Sequence, residues 1–182
     1  LATPMSGGTF ERELKGVLRG DEAVLERVTK TCVSEEREAY WRIVNRPFTV
    51  LRAAGSLGVD VVALRGDVSF PIEVKASKAK TLWLSNTRRT IEQAEDLLEE
   101  CARSELLPLY AYRRKNVRGD SWRLFTLDGA QVRGNLRKLQ RKIPKASRSK
   151  EGNHILRWEA GLPLHEFIDL MAGGAVKGRP KG

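Results

Sequence analysis

Val59-Asp60-Val61-Val62-Ala63-Leu64-Arg65-Gly66-Asp67-Val68-Ser69-Phe70-Pro71-Ile72-Glu73-Val74-Lys75-Ala76 is the stretch on which the reading of the whole chain turns. Two β-branched, apolar runs flank Gly66-Asp67, a dipeptide suited to a two-residue hairpin turn. The pattern predicts a strand over 59–65 and a second over 68–76. Side chains alternate along a strand, so Glu73 and Lys75 share one face, and the hairpin brings Asp60 beside them. Pro71 cannot donate to a ladder, which points to an edge strand or a bulge there.

Outward from this hairpin the elements alternate in kind. Phe10, Leu14, Val17 and Leu18 form one apolar stripe of a helix. Asp21 suits the cap of a second helix and Ser34 the start of a third, which Pro47 ends. A strand is predicted over 48–52, small residues turn the chain over 53–58, and a short strand covers 81–85. Asn86 or Thr87 then caps a long helix striped by Ile91, Ala94, Leu97, Leu98 and Cys101. Strands over 107–113 and 121–127 follow, and a last helix over 162–171. Helices, then strands, then a helix and two more strands imply a mixed α/β fold, a central mixed sheet flanked by helices. Residues 1–7 and 173–182 are read as flexible ends around one domain spanning 8–172.

Composition narrows the function. The chain of 182 residues carries 33 Lys plus Arg against 23 Asp plus Glu, a formal net charge of +10. A basic chain without an apolar run of membrane-spanning length is expected in the cytoplasm, meeting a polyanion, most often nucleic acid. Residues 132–150 hold Arg133, Arg137, Lys138, Arg141, Lys142, Lys145, Arg148 and Lys150 and no acid. That segment reads either as a phosphate-tracking arm or as a solvated loop. Two cysteines make neither a disulfide framework nor a zinc cluster. His154 and His165 lack partners at ligand spacing and are expected to be exposed or capping. No glycine loop of the phosphate-binding type is present, so no nucleotide cofactor is expected.

Asp60, Glu73 and Lys75 suit phosphodiester hydrolysis. Two carboxylates supply the hard oxygens that Mg²⁺ prefers, and Mn²⁺ is expected to substitute. A neighbouring ammonium stabilises charge on phosphate or positions a water. An acid and a Glu-x-Lys on neighbouring strands also arise as a plain surface ion pair, so the motif needs context.

That context is a resemblance. Phe48-Thr-Val-Leu-Arg52-Ala-Ala-Gly55-Ser56, Val59-Asp60-Val-Val-Ala63, Ile72-Glu73-Val-Lys75 and Leu82-Trp83-Leu84-Ser85 together resemble the core of archaeal Holliday junction resolvases, within the PD-(D/E)xK nucleases. Gly8-Thr-Phe-Glu11-Arg12-Glu13-Leu14 is similar to that family's opening helix, and Trp122-Arg123-Leu124-Phe125 to its closing strands. The resemblance spans about residues 8–128. It implies a restriction-endonuclease-like fold and a homodimer that cuts four-way junction DNA with one metal site per subunit. It also implies that Asp60, Glu73 and the Val74 carbonyl bind metal, with Glu11 as an accessory acid and ligand. Lys75 is then the catalytic lysine, Arg12 and Arg52 hold phosphates, and Ser56 sits in the loop at the scissile strand.

The chain departs from the family's pattern between Leu14 and Phe48, where relatives have a brief turn; a helical insertion over about 19–46 is one account. The other makes Glu36-Arg37-Glu38 the counterpart of the opening helix, moving the phosphate contact from Arg12 to Arg37. Glu11 is preferred because the apolar residue before it also matches. Another PD-(D/E)xK nuclease of restriction or repair type, or a non-catalytic DNA-binding protein, are the competing functions. Leu162, Leu164, Phe167, Ile168 and Leu170 are candidates for a dimer interface, or else for the monomer's own core.

Overall fold

A computed structural model describes residues 8–53, 58–84, 88–130 and 132–173. Three helices open the fold: α1 (Gly8–Leu18), α2 (Glu22–Val28) and α3 (Ser34–Trp41). The Asp21 side chain accepts the Val24 N–H at 3.1 Å and so caps α2 as expected. Strands β1 (Thr49–Arg52), β2 (Val61–Arg65) and β3 (Val68–Ser77) follow, then β4 (Thr81–Trp83) and the long helix α4 (Arg88–Arg103). The chain continues through β5 (Leu109–Arg114), β6 (Trp122–Thr126), α5 (Gly134–Gln140), β7 (Ser147–Arg148), β8 (His154–Arg157), β9 (Leu162–Pro163) and α6 (Leu164–Met171).

Six strands form the central sheet in the order β1-β2-β3-β5-β6-β9, and β4-β8-β7 form a smaller one. All pairings in the larger sheet are antiparallel except β3 with β5, where Glu73 lies opposite Tyr110 and Lys75 opposite Tyr112. The long crossover through β4 and α4 is what a parallel pair requires. This is the expected mixed sheet flanked by helices.

Alternation divides the molecule into two layers. Val50, Val61, Ala63, Phe70, Ile72, Leu109, Ala111 and Leu124 face α1, α2, α3 and α6 in one apolar cluster. Tyr110, Tyr112 and Phe125 face the other way, into a second cluster with Leu84, Ala94, Leu97, Cys101 and Leu156 from α4 and the small sheet. Glu73 and Lys75 belong to this second face, because their neighbours Ile72 and Val74 pack into the first cluster.

Several expectations need correction. Pro71 is not on an edge: β3 lies inside the sheet, and Pro71 pairs with Val62 one residue before the β5 register begins at Ile72. His154 is buried in β8 rather than exposed. His165 does meet a cap: its N–H and Nδ1 lie 2.9 and 2.8 Å from the Asp120 carboxylate. Asp120 is itself buried and also accepts from the Tyr40 hydroxyl at 2.8 Å and the Trp122 N–H at 3.0 Å. It thereby ties α3, β6 and α6 together.

The candidate interface on the last helix closes the monomer's own core instead. Leu162, Leu164, Phe167 and Ile168 are buried in the first cluster, with Leu170 packed against it. The segment 132–150 is not one loop: α5 packs Leu136 and Leu139 against the first cluster, and Ile143 and Ala146 are buried.

Candidate active site

The site arises where β3 outruns its neighbour. β2 begins at Val61, opposite Ile72, while β3 continues to Ser77 paired with β5. From Glu73 onward the edge of β3 toward β2 has no strand partner among the described residues. Asp60, just before β2, turns into that gap: its Oδ2 accepts the Val74 N–H at 2.7 Å. Within a strand the N–H and C=O of one residue point to the same side. The Val74 carbonyl is therefore aimed at the side where the Asp60 carboxylate stands.

Glu73 sits beside this pair with only 7% of its surface exposed. Its Oε1 is 2.5 Å from the Lys75 Nζ, and the Lys75 side chain is about a quarter exposed. Burial raises the Glu73 carboxyl to about 7, and the Asp60 charge and hydrogen bond add to that rise. The Lys75 ammonium opposes it without cancelling it. Burial, then the charges of Glu73 and Asp60, also push the Tyr110 phenol up, so it stays neutral beneath the acids. The site thus sets two carboxylates, one of them poorly solvated, against one lysine among the described residues.

Such a surplus fits a cation. The donors are carboxylate and carbonyl oxygens, the chemistry a small divalent ion of hard character takes. Among the described residues no group of three or more acids, histidines or cysteines converges closely enough to hold a metal. Glu11 accordingly stands outside the Asp60–Glu73 pair.

Glu11 is instead bound by Arg52, whose Nε lies 3.1 Å from Oε2 and whose Nη2 contacts the same oxygen. Arg52 ends β1 opposite Val61, the residue after Asp60, so this ion pair lies next to the acids along the strand ends. A β-carbon built on Gly8 would meet Arg52 Nη2 at 3.3 Å and Arg12 Nη1 at 3.4 Å, so both guanidiniums converge at the start of α1. Arg12 has no ion pair among the described residues. Ser56 lies outside the described residues.

Glu36 is elsewhere. Its Oε2 accepts the Val33 N–H at 3.2 Å and caps α3, on the helical face beside Gly119. Arg37 is likewise committed, to Glu26 at 2.7 Å and Thr29 at 3.2 Å. Of the two candidate helices, α1 brings its acid to the strand ends that carry Asp60. The sequence reading did not single out Tyr110 and Tyr112, which lie opposite Glu73 and Lys75; their i, i+2 spacing in a strand was the signal that places them there.

No described helix is long and apolar enough to cross a membrane. A family model described as archaeal Holliday junction resolvase (Hjc) matches residues 27–170, well over half of the chain, and leaves α1 outside the match. A structure of Archaeoglobus fulgidus Hjc, a Holliday junction resolvase from an archaeal hyperthermophile, is similar at 19% identity. That similarity covers 84% of this chain and 94% of the other, with a TM-score of 0.46. By the family match, the chain belongs to the archaeal Holliday junction resolvase family, metal-dependent nucleases that act on four-way junction DNA.

Proposed function

We propose that the chain is a Mg²⁺-dependent endonuclease that resolves four-way junctions as a homodimer. The observation that carries this reading is the Asp60–Glu73–Lys75 group at an open strand edge, with Asp60 oriented by the Val74 N–H. Asp60, Glu73 and the Val74 carbonyl would hold the ion. A divalent ion there supplies Lewis acidity at the scissile phosphate.

The chain's own groups do the rest. Lys75 donates from Nζ to a non-bridging phosphate oxygen, stabilising charge as a water oxygen bonds to phosphorus, losing its proton to solvent, and the bond to the leaving oxygen breaks. The Val74 N–H fixes Asp60, so the carboxylate pays no reorientation when substrate arrives. Arg12 and Arg52, beside the N-terminus of α1, hold a neighbouring phosphate. A junction has two-fold symmetry, and symmetric cutting calls for two sites related in the same way.

Labelled four-way junction, linear duplex and single strand, incubated with Mg²⁺ and then with EDTA, test the reading. Junction nicked in Mg²⁺, spared in EDTA and cut faster than duplex is the expected result. Equal rates on duplex would instead indicate a general PD-(D/E)xK nuclease. Light scattering of the same sample should return the mass of a dimer at micromolar concentration.

Glu11 is a positioning residue here, acting through Arg52. Glu11→Gln is expected to slow cleavage by at least about tenfold, the range seen when a supporting group is lost. Glu36→Gln should leave cleavage within about twofold, since that side chain caps α3. Cleavage assays on both variants, with junction affinity measured in parallel, decide it; loss confined to Glu36→Gln would reverse the assignment.

A further inference from the structure

The protein has four tryptophans, three tyrosines and five phenylalanines. All but Trp41 and Trp83 are buried, and Trp83 alone is strongly exposed, at 46%. An indole left in water on a folded chain is unusual enough to ask what it contacts. Its position is specific. β4 pairs with β8 on one side, and its other edge has no strand partner among the described residues. Leu82 and Leu84 turn inward to the cluster on the active-site face, so Trp83, between them, turns outward.

The strand packs against the sheet face that carries the proposed active site. The Tyr112 hydroxyl donates to the Ala79 carbonyl at 2.7 Å, and Tyr112 lies opposite Lys75 on the same sheet face. The turn that starts β4 is therefore folded back against the catalytic lysine's neighbour. At the other end, Leu84 packs into the cluster that contains Val59, the residue before Asp60. Trp83 thus stands on a strand packed over the sheet face that carries the site, with its ring turned to solvent.

Its surroundings are basic. Arg157 lies on the same face one cross-strand step away, opposite Thr81. Lys78, Lys80 and Arg88 are exposed nearby along the chain, against the acids Glu159, 3.0 Å from Lys80, and Glu92, 2.9 Å from Arg88. Both of those ion pairs lie in water and hold their cations weakly. An apolar ring among cations matches nucleic acid, with bases for the ring and phosphates for the charges. A second copy of a chain carrying +10 matches it less well.

We propose that Trp83 stacks on a base face laid bare at the crossover of the junction, and so contributes to choosing junctions over duplex. This rests on the junction-nuclease reading above. Continuous duplex keeps every base pair covered on both sides, whereas stacking can be interrupted where four arms meet. Base–aromatic stacking by an exposed ring is sequence-tolerant, as a substrate chosen by shape requires.

The test is emission from the full-length protein, because the other three tryptophans are more buried and Trp83 can be removed separately. Wild type titrated in EDTA with a four-way junction should lose tryptophan emission, and titration with linear duplex should not. Trp83→Phe should abolish that loss and keep most junction affinity. Trp83→Ala should weaken junction binding about tenfold, within the range for one stacked base, and leave duplex binding unchanged. Unchanged emission on junction binding, or Trp83→Ala within about twofold of wild type, overturns the inference while junction cleavage by wild type leaves the functional reading standing. A Trp83→Ala protein that loses its dimer mass also overturns it, by making the ring a contact between copies. Wild type that neither binds nor cuts junctions overturns the functional reading itself.

Discussion

Asp60→Asn and Lys75→Ala proteins should bind a four-way junction about as tightly as wild type and cut it at least about a thousandfold more slowly. Asn keeps the shape of Asp60 and an oxygen for the Val74 N–H, now met at 2.7 Å. What it removes is one negative charge from the pair proposed to hold the ion. Lys75→Ala removes the ammonium that meets Glu73 and leaves that carboxylate without its partner at 2.5 Å. Neither change touches Arg12 or Arg52, where phosphate binding is assigned. Affinity should therefore keep its steep fall with salt, set by the number of phosphates neutralised. Junction titrations in EDTA at several salt concentrations, followed by single-turnover cleavage in Mg²⁺, read the two quantities apart. Cleavage within about tenfold of wild type in either variant would remove that residue from the chemistry. Loss of affinity and cleavage together would mean that the acids and the lysine organise the DNA-binding surface rather than the reaction.

How much of this was legible in the amino-acid sequence differs from element to element. β2 and β3 were readable because β-branched runs flank a dipeptide that turns, and alternation alone placed Glu73 and Lys75 on one face. The hydrogen bond from Val74 to Asp60 was not readable. It depends on β2 starting one residue after Asp60, a matter of register between strands rather than of pattern within one. Pro71 misled because a proline's tolerance depends on which side its missing N–H faces, and that needs the neighbouring strands.

The short strands β7 and β9, with two residues each, lie below any length at which alternation can be recognised. α5 was hidden by its charge: Leu136 and Leu139 have the i, i+3 spacing of a packed face, but the surrounding arginines and lysines drew the reading toward solvent. The last helix posed a different problem. An apolar stripe states that a face is covered, and not whether the cover is the same chain or another copy; here it is the sheet of its own monomer. That Glu11 meets Arg52 while Glu36 caps its own helix was likewise not legible, since it depends on where the two helices sit and not on their periodicity.

Glu73→Gln should make the metal-free protein more stable at pH 8 by as much as about 3 kcal/mol, while abolishing cleavage. The reason is the cost of keeping this carboxylate charged in its place. Burial, aided by Asp60, raises Glu73 from 4.5 to about 7 on folding. A group raised by folding adds stability below its unfolded value and loses it as pH rises through the folded one. Between pH 4.5 and 7 the native protein must either hold a proton there or carry an ill-solvated charge, and above 7 that burden is complete. A rise of that size corresponds to about 3 kcal/mol. Lys75 loses its partner in the variant, which trims the gain, but Asp60 remains near to balance it. Near pH 4.5 wild-type Glu73 is protonated when folded, and the difference between the proteins should vanish. Mg²⁺ should reverse the order at pH 8, since a bound cation offsets the charge that Gln no longer carries. Chemical denaturation of both proteins at pH 4.5 and pH 8, with EDTA and then with Mg²⁺, measures all four differences. A Gln variant less stable than wild type in EDTA at pH 8 would mean that Lys75 fully compensates Glu73. The site would then hold no surplus charge for a metal to neutralise, and the case for an ion at Asp60, Glu73 and the Val74 carbonyl would lose its electrostatic ground.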